Sequence, residues 1–127
     1  MGHRSRLAGF IIDCQDTPAD QAAAFWSAAL GYRATLAYRE ENAEYADLEG
    51  APAGLNVEVQ RVQHASRVHL DIESDDIDAE AARLEALGAR RIGFVKRWWV
   101  MEAPTGHRFC IVRMREEDGR APANHWD

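Results

Sequence analysis

Asp16-Thr17-Pro18-Ala19-Asp20-Gln21-Ala22-Ala23, closed by Ala29-Leu30-Gly31-Tyr32-Arg33, is answered later in the chain by Asp76-Ile77-Asp78-Ala79-Glu80-Ala81-Ala82-Arg83, closed by Ala86-Leu87-Gly88-Ala89-Arg90. Each copy reads as a helix start, a helix and a glycine stop, and an apolar run suited to a strand precedes each. Two such units in 127 residues predict half-domains that share a sheet or a cavity, because neither buries enough apolar surface alone. Function is then expected where the halves meet.

Working outward, Leu7 to Cys14 suits a buried strand, and Asp16 or Thr17 as N-cap with Pro18 in the first turn starts a helix. Ala22, Phe25, Trp26, Ala29 and Leu30 form its apolar stripe. Tyr32 to Tyr38, Glu44 to Leu48 and Leu55 to Val62 read as strands, broken at Glu40-Glu41-Asn42 and at Glu49-Gly50-Ala51-Pro52. Gln63 to Ser66 links to the second copy. There Arg67 to Glu73 is a strand and Asp76 to Leu87 a helix with Ile77, Ala81, Leu84 and Leu87 inward. Arg91 to Phe94, Trp98 to Glu102 and Arg108 to Met114 are strands, the last two joined by the turn Ala103-Pro104-Thr105-Gly106. The order is βαβββ twice, an α+β fold, with module one at about 7–62, module two at about 67–114 and a loosely held tail at 115–127.

Composition bounds the function. With 46% hydrophobic and 28% charged residues the chain is that of one folded domain. A net charge of −6 argues against nucleic acid or an anionic membrane as the main partner, since both select a basic surface. No apolar run approaches the roughly 20 residues that cross a bilayer. Met1 to Leu7 is polar and basic rather than an apolar secretion segment, so Cys14 and Cys110 are expected as reduced thiols in a cytoplasmic protein.

Arg67-Val68-His69-Leu70-Asp71-Ile72, Asp75-Asp76, Ala86-Leu87-Gly88-Ala89 and Pro104-Thr105-Gly106-His107-Arg108-Phe109-Cys110 give the chain its resemblance to a known family. Over roughly residues 7 to 114 it resembles the vicinal-oxygen-chelate superfamily, and within it the glyoxalase-like and bleomycin-resistance-like small bacterial proteins. The resemblance implies two tandem βαβββ modules forming a U-shaped mixed sheet around a cavity, with the helices outside. It also implies metal-ligand positions on the first and last strand of each module, which fall here at Gly9, Gln60, His69 and Cys110. Gly9 offers no side chain, leaving Gln60, His69 and Cys110 as an incomplete metal set. Proteins of this resemblance usually pair, so a homodimer is expected.

Strand alternation gives candidate side chains. Val68, Leu70 and Ile72 are expected to face the helices, which turns His69, Asp71 and Glu73 the other way. The same parity groups Asn56, Glu58 and Gln60, then Gly9, Ile11 and Asp13, then Arg108, Cys110 and Val112. If these sets converge, an acidic face of Asp13, Glu58, Asp71 and Glu73 with His69 stands against only Arg108. Such a face attracts a cation, and crowded carboxylates provide acid/base groups. His69, Asp71 and Glu73 are the catalytic candidates. Asp13, Tyr45, Glu58, Trp98, Trp99 and Arg108 are the ligand-binding candidates, with one of the adjacent tryptophans expected inward and the other outward. Two readings stay open. One is a binding protein for a cationic or neutral small molecule, with no cofactor expected. The other is a lyase, isomerase or dioxygenase acting on a small carbonyl compound through His69 and a carboxylate, with a divalent metal as its optional cofactor.

Overall fold

The computed structural model describes residues 2–40, 42–116 and 120–127. In chain order the elements are β1 (His3–Gln15), α1 (Ala19–Leu30), β2 (Arg33–Ala34), β3 (Tyr38–Glu40), β4 (Ala43–Glu49), β5 (Asn56–Val62), β6 (Arg67–Ser74), α2 (Ile77–Ala86), β7 (Arg90–Val95), β8 (Trp98–Glu102), β9 (Arg108–Arg113) and β10 (Asn124–Trp126). The fold is α+β with mixed sheet: a strand and a helix are followed by β2 to β5 in the first half and by β7 to β9 in the second, with β10 last. Two units divide the chain, one spanning Gly9–Val68 and the other Met1–Ala8 with His69–Asp127. Glu41 of the expected turn and residues 117–119 of the expected tail lie outside the described residues.

In the Gly9–Val68 unit, β1 runs parallel to β5 from Gly9↔Asn56 to Gln15↔Val62. β4 pairs antiparallel with β5, and both β2 and β3 pair antiparallel with β4. The single strand expected from Tyr32 to Tyr38 is thus two short ones along the same partner. Phe10, Ile12, Cys14, Ala46, Leu48, Val57 and Val59 turn to α1, whose contribution is Ala19, Ala22 and Ala23 with Trp26 beside them. This corrects the expected stripe. Small alanines let the helix lie close on the sheet, while Phe25 is 63% exposed and Leu30 44%. Gly31 ends α1 in the left-handed conformation, φ 74°, as its position after Leu30 predicts.

The start of α1 differs from expectation as well. Neither Asp16 nor Thr17 caps it; Pro18 stands at the N-cap and brings no side-chain acceptor. Glu44 of β4 supplies one instead, its carboxylate accepting from the Ala19 N–H at 2.6 Å. An anion there also meets the positive end of the helix dipole.

The other unit repeats the topology. β6 runs parallel to β9, β8 pairs antiparallel with β9, and β7 with β8. Asp76 caps α2 by accepting from the Ala79 N–H at 3.0 Å, and Gly88, φ 108°, follows its last turn. Ala81, Met101, Phe109 and Ile111 form the core, with Ile72, Ile77, Leu84 and Trp99 against it. Leu87 is 66% exposed rather than inward, and Val68 and Leu70, expected to face a helix, are exposed too. Of the three alternate apolar residues of β6, Ile72 is the one that packs on this core.

The chain ends are more ordered than the sequence suggests. β1 begins at His3, not Leu7, and β10 pairs antiparallel with it through His3↔Trp126 and Ser5↔Asn124. Trp126 donates its indole N–H to the Ser5 hydroxyl at 2.8 Å, and the Arg83 guanidinium lies 3.9 Å from its ring centroid. Arg83 and His3 both meet the fully buried Glu80, each at 2.8 Å. The expected loose tail is therefore, at Asn124–Trp126, a strand fastened to the first one. Among the described residues no helix is long and apolar enough to cross a membrane.

Candidate functional site

Parallel pairing of β6 with β9 sets Asp71 opposite Cys110, and antiparallel pairing of β8 with β9 sets Cys110 opposite Val100. His69, two residues before Asp71, shares its face. The imidazole, the carboxylate and the thiol offer one nitrogen, one oxygen and one sulfur, all within 4.8 Å of one another. His69 Nε2 stands 3.7 Å from Asp71 Oδ1, with the two side chains only 15% and 16% exposed. A strand alternation and a register, with no loop between, thus build a compact trio of unlike donors.

These donors fit a divalent metal. Zinc binds Cys, His and carboxylate at about 2.0–2.3 Å and leaves one position open where the site is catalytic. Of the metal positions implied by the resemblance, His69 and Cys110 belong to the trio. Gln60 lies in the other unit, where its amide donates to the Tyr45 hydroxyl at 3.4 Å. Gly9 could not be replaced by a ligand: a Cβ there would stand 1.7 Å from the Asn56 carbonyl oxygen. Asp71, singled out by sequence as an acid/base group, takes the third place.

Glu73 shares the parity of His69 and Asp71 but has a different setting. It is 1% exposed and accepts from Arg6 Nε and Arg120 Nη2, each at 2.6 Å. Two guanidiniums hold this carboxylate, and neither was singled out by sequence, because one precedes the repeat and the other follows it. Arg108 stands 3.5 Å from Glu102, which Arg90 also meets. Its hydrogen bond from Arg90 holds the Glu102 carboxyl below its ordinary value against a smaller effect of burial, and the Arg90 and Arg108 charges add to the lowering. The tryptophans divide as alternation predicts. Trp99 turns to the helix side, donating to Asp78 at 2.8 Å with the Arg91 guanidinium 4.6 Å from its ring centroid. Trp98 takes the opposite parity, with Lys96 5.5 Å from its ring.

A second polar face lies in the Gly9–Val68 unit, away from α1. Paired positions place Asp13, Gln60 and Tyr45 in one row and Ile11, Glu58 and Asp47 in the next. Tyr38 pairs with Tyr45, their rings stacked with centroids 5.7 Å apart and planes 25° from parallel. The Tyr38 hydroxyl donates to Asp47 at 3.1 Å, and Asn56 donates to Glu58. Asp13 is 2% exposed, with Arg67 Nε 3.9 Å from its carboxylate. Burial raises the Tyr38 phenol far above its ordinary value, and the negative charges of Glu58 and Asp47 add to the effect. Tyr38 and Asp47 escaped sequence reading because the β3–β4 register that sets them beside Tyr45 and Glu58 has no local signature. Cys14 is buried in the α1 core, where burial and then the Asp13 charge raise its thiol.

Repeated βαβββ units, each with a polar row on the sheet face away from its helix, define a protein of the vicinal-oxygen-chelate type. A family model for the glyoxalase-like domain matches residues 9–112, and the chain belongs to that family. Among solved structures it is similar to a methylmalonyl-CoA epimerase in complex with methylmalonyl-CoA and NH4+, with a TM-score of 0.64 at 18% identity over 94% of this chain and 99% of that one. A variant of Streptomyces coelicolor methylmalonyl-CoA epimerase in complex with 2-nitronate-propionyl-CoA matches with a TM-score of 0.66 at 17% identity, over 87% of this chain and 98% of the other. The Mycobacterium tuberculosis methylmalonyl-CoA epimerase gives 0.62 at 16%, over 91% and 88%. Likeness at such identities is one of fold. A comparison with curated proteins finds no match.

Proposed function

We propose that this chain is a small-molecule binding protein of the glyoxalase-like type, holding a planar cationic or neutral ligand on the polar face of its first module. The observation that carries this reading is the stacked Tyr38–Tyr45 pair beside Asp47 and Glu58. Aromatic faces attract cations through the ring quadrupole, and nearby carboxylates add direct charge attraction. The raised Tyr38 phenol keeps its proton at neutral pH, so the hydroxyl donates to Asp47 while the ring remains a neutral wall. Thermal-shift screening with planar aromatic cations and their neutral isosteres tests it. A ligand at 100 times its Kd adds about 2.7 kcal/mol to the stability of the folded state, and Tyr45→Ala and Glu58→Gln should each reduce that gain. No shift with any such compound defeats the reading.

The His69, Asp71 and Cys110 trio favours a second reading, a lyase, isomerase or dioxygenase acting on a small carbonyl compound. In it His69 moves a proton next to the carbonyl, and Asp71 orients the imidazole. Were a divalent metal held by His69, Asp71 and Cys110 instead, it would polarise the carbonyl oxygen, and the imidazole would serve as its ligand rather than move the proton. Exchange of the proton beside the carbonyl in heavy water, followed by NMR for a panel of oxo acids and dicarbonyls, separates this reading from the first. Exchange lost in His69→Gln favours the enzyme; a thermal shift without exchange favours the binder.

A homodimer and a cytoplasmic location belong to the same proposal. Ile92, Phe94 and Val95 of β7 are 41%, 53% and 43% exposed, an apolar set suited to a partner copy. Sedimentation velocity tests the dimer. Neither Cys14 nor Cys110 is in a disulfide, which suits a reducing compartment.

A further inference from the structure

We infer that the ligand of the first-module face is a zwitterion, an aromatic cation that also carries a carboxylate, and that Arg67 is the residue that selects the anionic end. The inference rests on the reading of that face as a binding site and names what the site takes. Asp13, Gln60 and Tyr45 stand side by side on β1, β5 and β4. Paired strands lie about 4.8 Å apart, so the row is about 10 Å long. At the β4 end the Tyr38 and Tyr45 rings stack, with Asp47 bonded to the Tyr38 hydroxyl, an aromatic wall beside a negative charge. At the β1 end Arg67 reaches Asp13, its Nε 3.9 Å from the carboxylate. A face that offers a cation seat at one end and a guanidinium at the other is complementary to a molecule with both charges.

Burial is divided unequally within the Arg67–Asp13 pair. The Asp13 side chain is 2% exposed and that of Arg67 46%, so a group arriving from solvent meets the guanidinium before the carboxylate. Asp13 offsets the charge of Arg67 without exhausting its donors. A guanidinium has five N–H groups in a planar fork, and the contact from Nε is longer than a hydrogen bond. On the other side Nη2 stands 3.4 Å from His64 Nε2. Contacts on two sides steady the guanidinium, so less side-chain freedom is lost when it takes a ligand. A carboxylate accepts from such a fork in two parallel bonds. A ligand with a cation alone meets Arg67 as a like charge, so the same residue selects against it.

A rhodamine with its carboxylate free, a planar aromatic cation with one anionic group, and the methyl ester of the same dye test the inference, because they share a ring system and differ in that one charge. Fluorescence anisotropy of each dye with the full chain, at neutral pH and low salt, should show the free acid bound about fivefold more tightly, the upper end for a half-exposed charge pair. Arg67→Met should bring the two dyes to equal affinity, and Arg67→Lys should retain part of the preference. If Arg67→Met fails to fold by circular dichroism, Arg67→Gln carries the decision. Equal affinities in the parent, tighter binding of the ester, a preference that survives loss of the guanidinium, or no binding of either dye overturns the inference. Simple aromatic cations that still raise stability in the thermal-shift screen would then leave the first-module reading intact, whereas that reading fails only when the screen itself gives no shift.

Discussion

Gly9 and Asn56 face each other across the parallel β1–β5 pair, so closely that a Cβ on residue 9 would lie 1.7 Å from the Asn56 carbonyl oxygen and 2.6 Å from its carbon. The obstruction is backbone, which cannot rotate away. Gly9→Ala should therefore destabilise by about 3 kcal/mol, the upper part of the range for overpacking, read as a lower urea midpoint. A Gly9→Ala protein as stable as the parent would show that this approach is not close in solution.

Arg120 is the buried partner that the chain's last segment brings to Glu73, the two side chains being 2% and 1% exposed. Breaking a buried pair leaves an uncompensated charge and costs about 3–5 kcal/mol, and Arg6 limits the loss at Glu73. Arg120→Ala is expected at the low end of that range. Pairing it with Glu73→Gln in a double-mutant cycle should give a combined loss smaller than the sum of the single losses.

Glu80 makes stability sensitive to acid. Burial pushes its carboxyl up, but hydrogen bonds from Arg83, His3 and Ser5, with the Arg83 charge, outweigh that and hold it below its ordinary value of 4.5. A folded-state value below the unfolded one means that the unfolded chain binds the proton more readily. The resulting stability is complete above about pH 4.5 and is lost as pH falls through the depressed folded value. Chemical denaturation at a series of pH values should show a shallower acid decline in Glu80→Gln than in the parent.

Trp126 fastens β10 through the Ser5 hydroxyl and the Arg83 guanidinium. Trp126→Ala removes one hydrogen bond and one cation–π contact, worth together about 2 kcal/mol. Hydrogen exchange should quicken first at His3 to Ser5, whose ladder partners are Asn124 to Trp126. Unchanged protection there would contradict a fastened strand.

Local chemistry is what a sequence carries well, and this one carries its repeat. The Asp76 start of the second helix, the glycines at 31 and 88, and the alternation that turns Val57, Val59, Phe109 and Ile111 to the helices were all legible, because each follows from steric limits within a few residues. Which side chains meet across strands was not. The Asp71↔Cys110 register, the Tyr38↔Tyr45 stack, the Glu44 cap on α1 and the arginines around Glu73 each join residues far apart in the chain. Pairing energy is shared along a whole ladder, so no single residue announces its partner. Sequence alone determined the doubled strand–helix–strands plan and the polar rows; tertiary structure split the strand after the first helix and decided which members of those rows come close enough to act together.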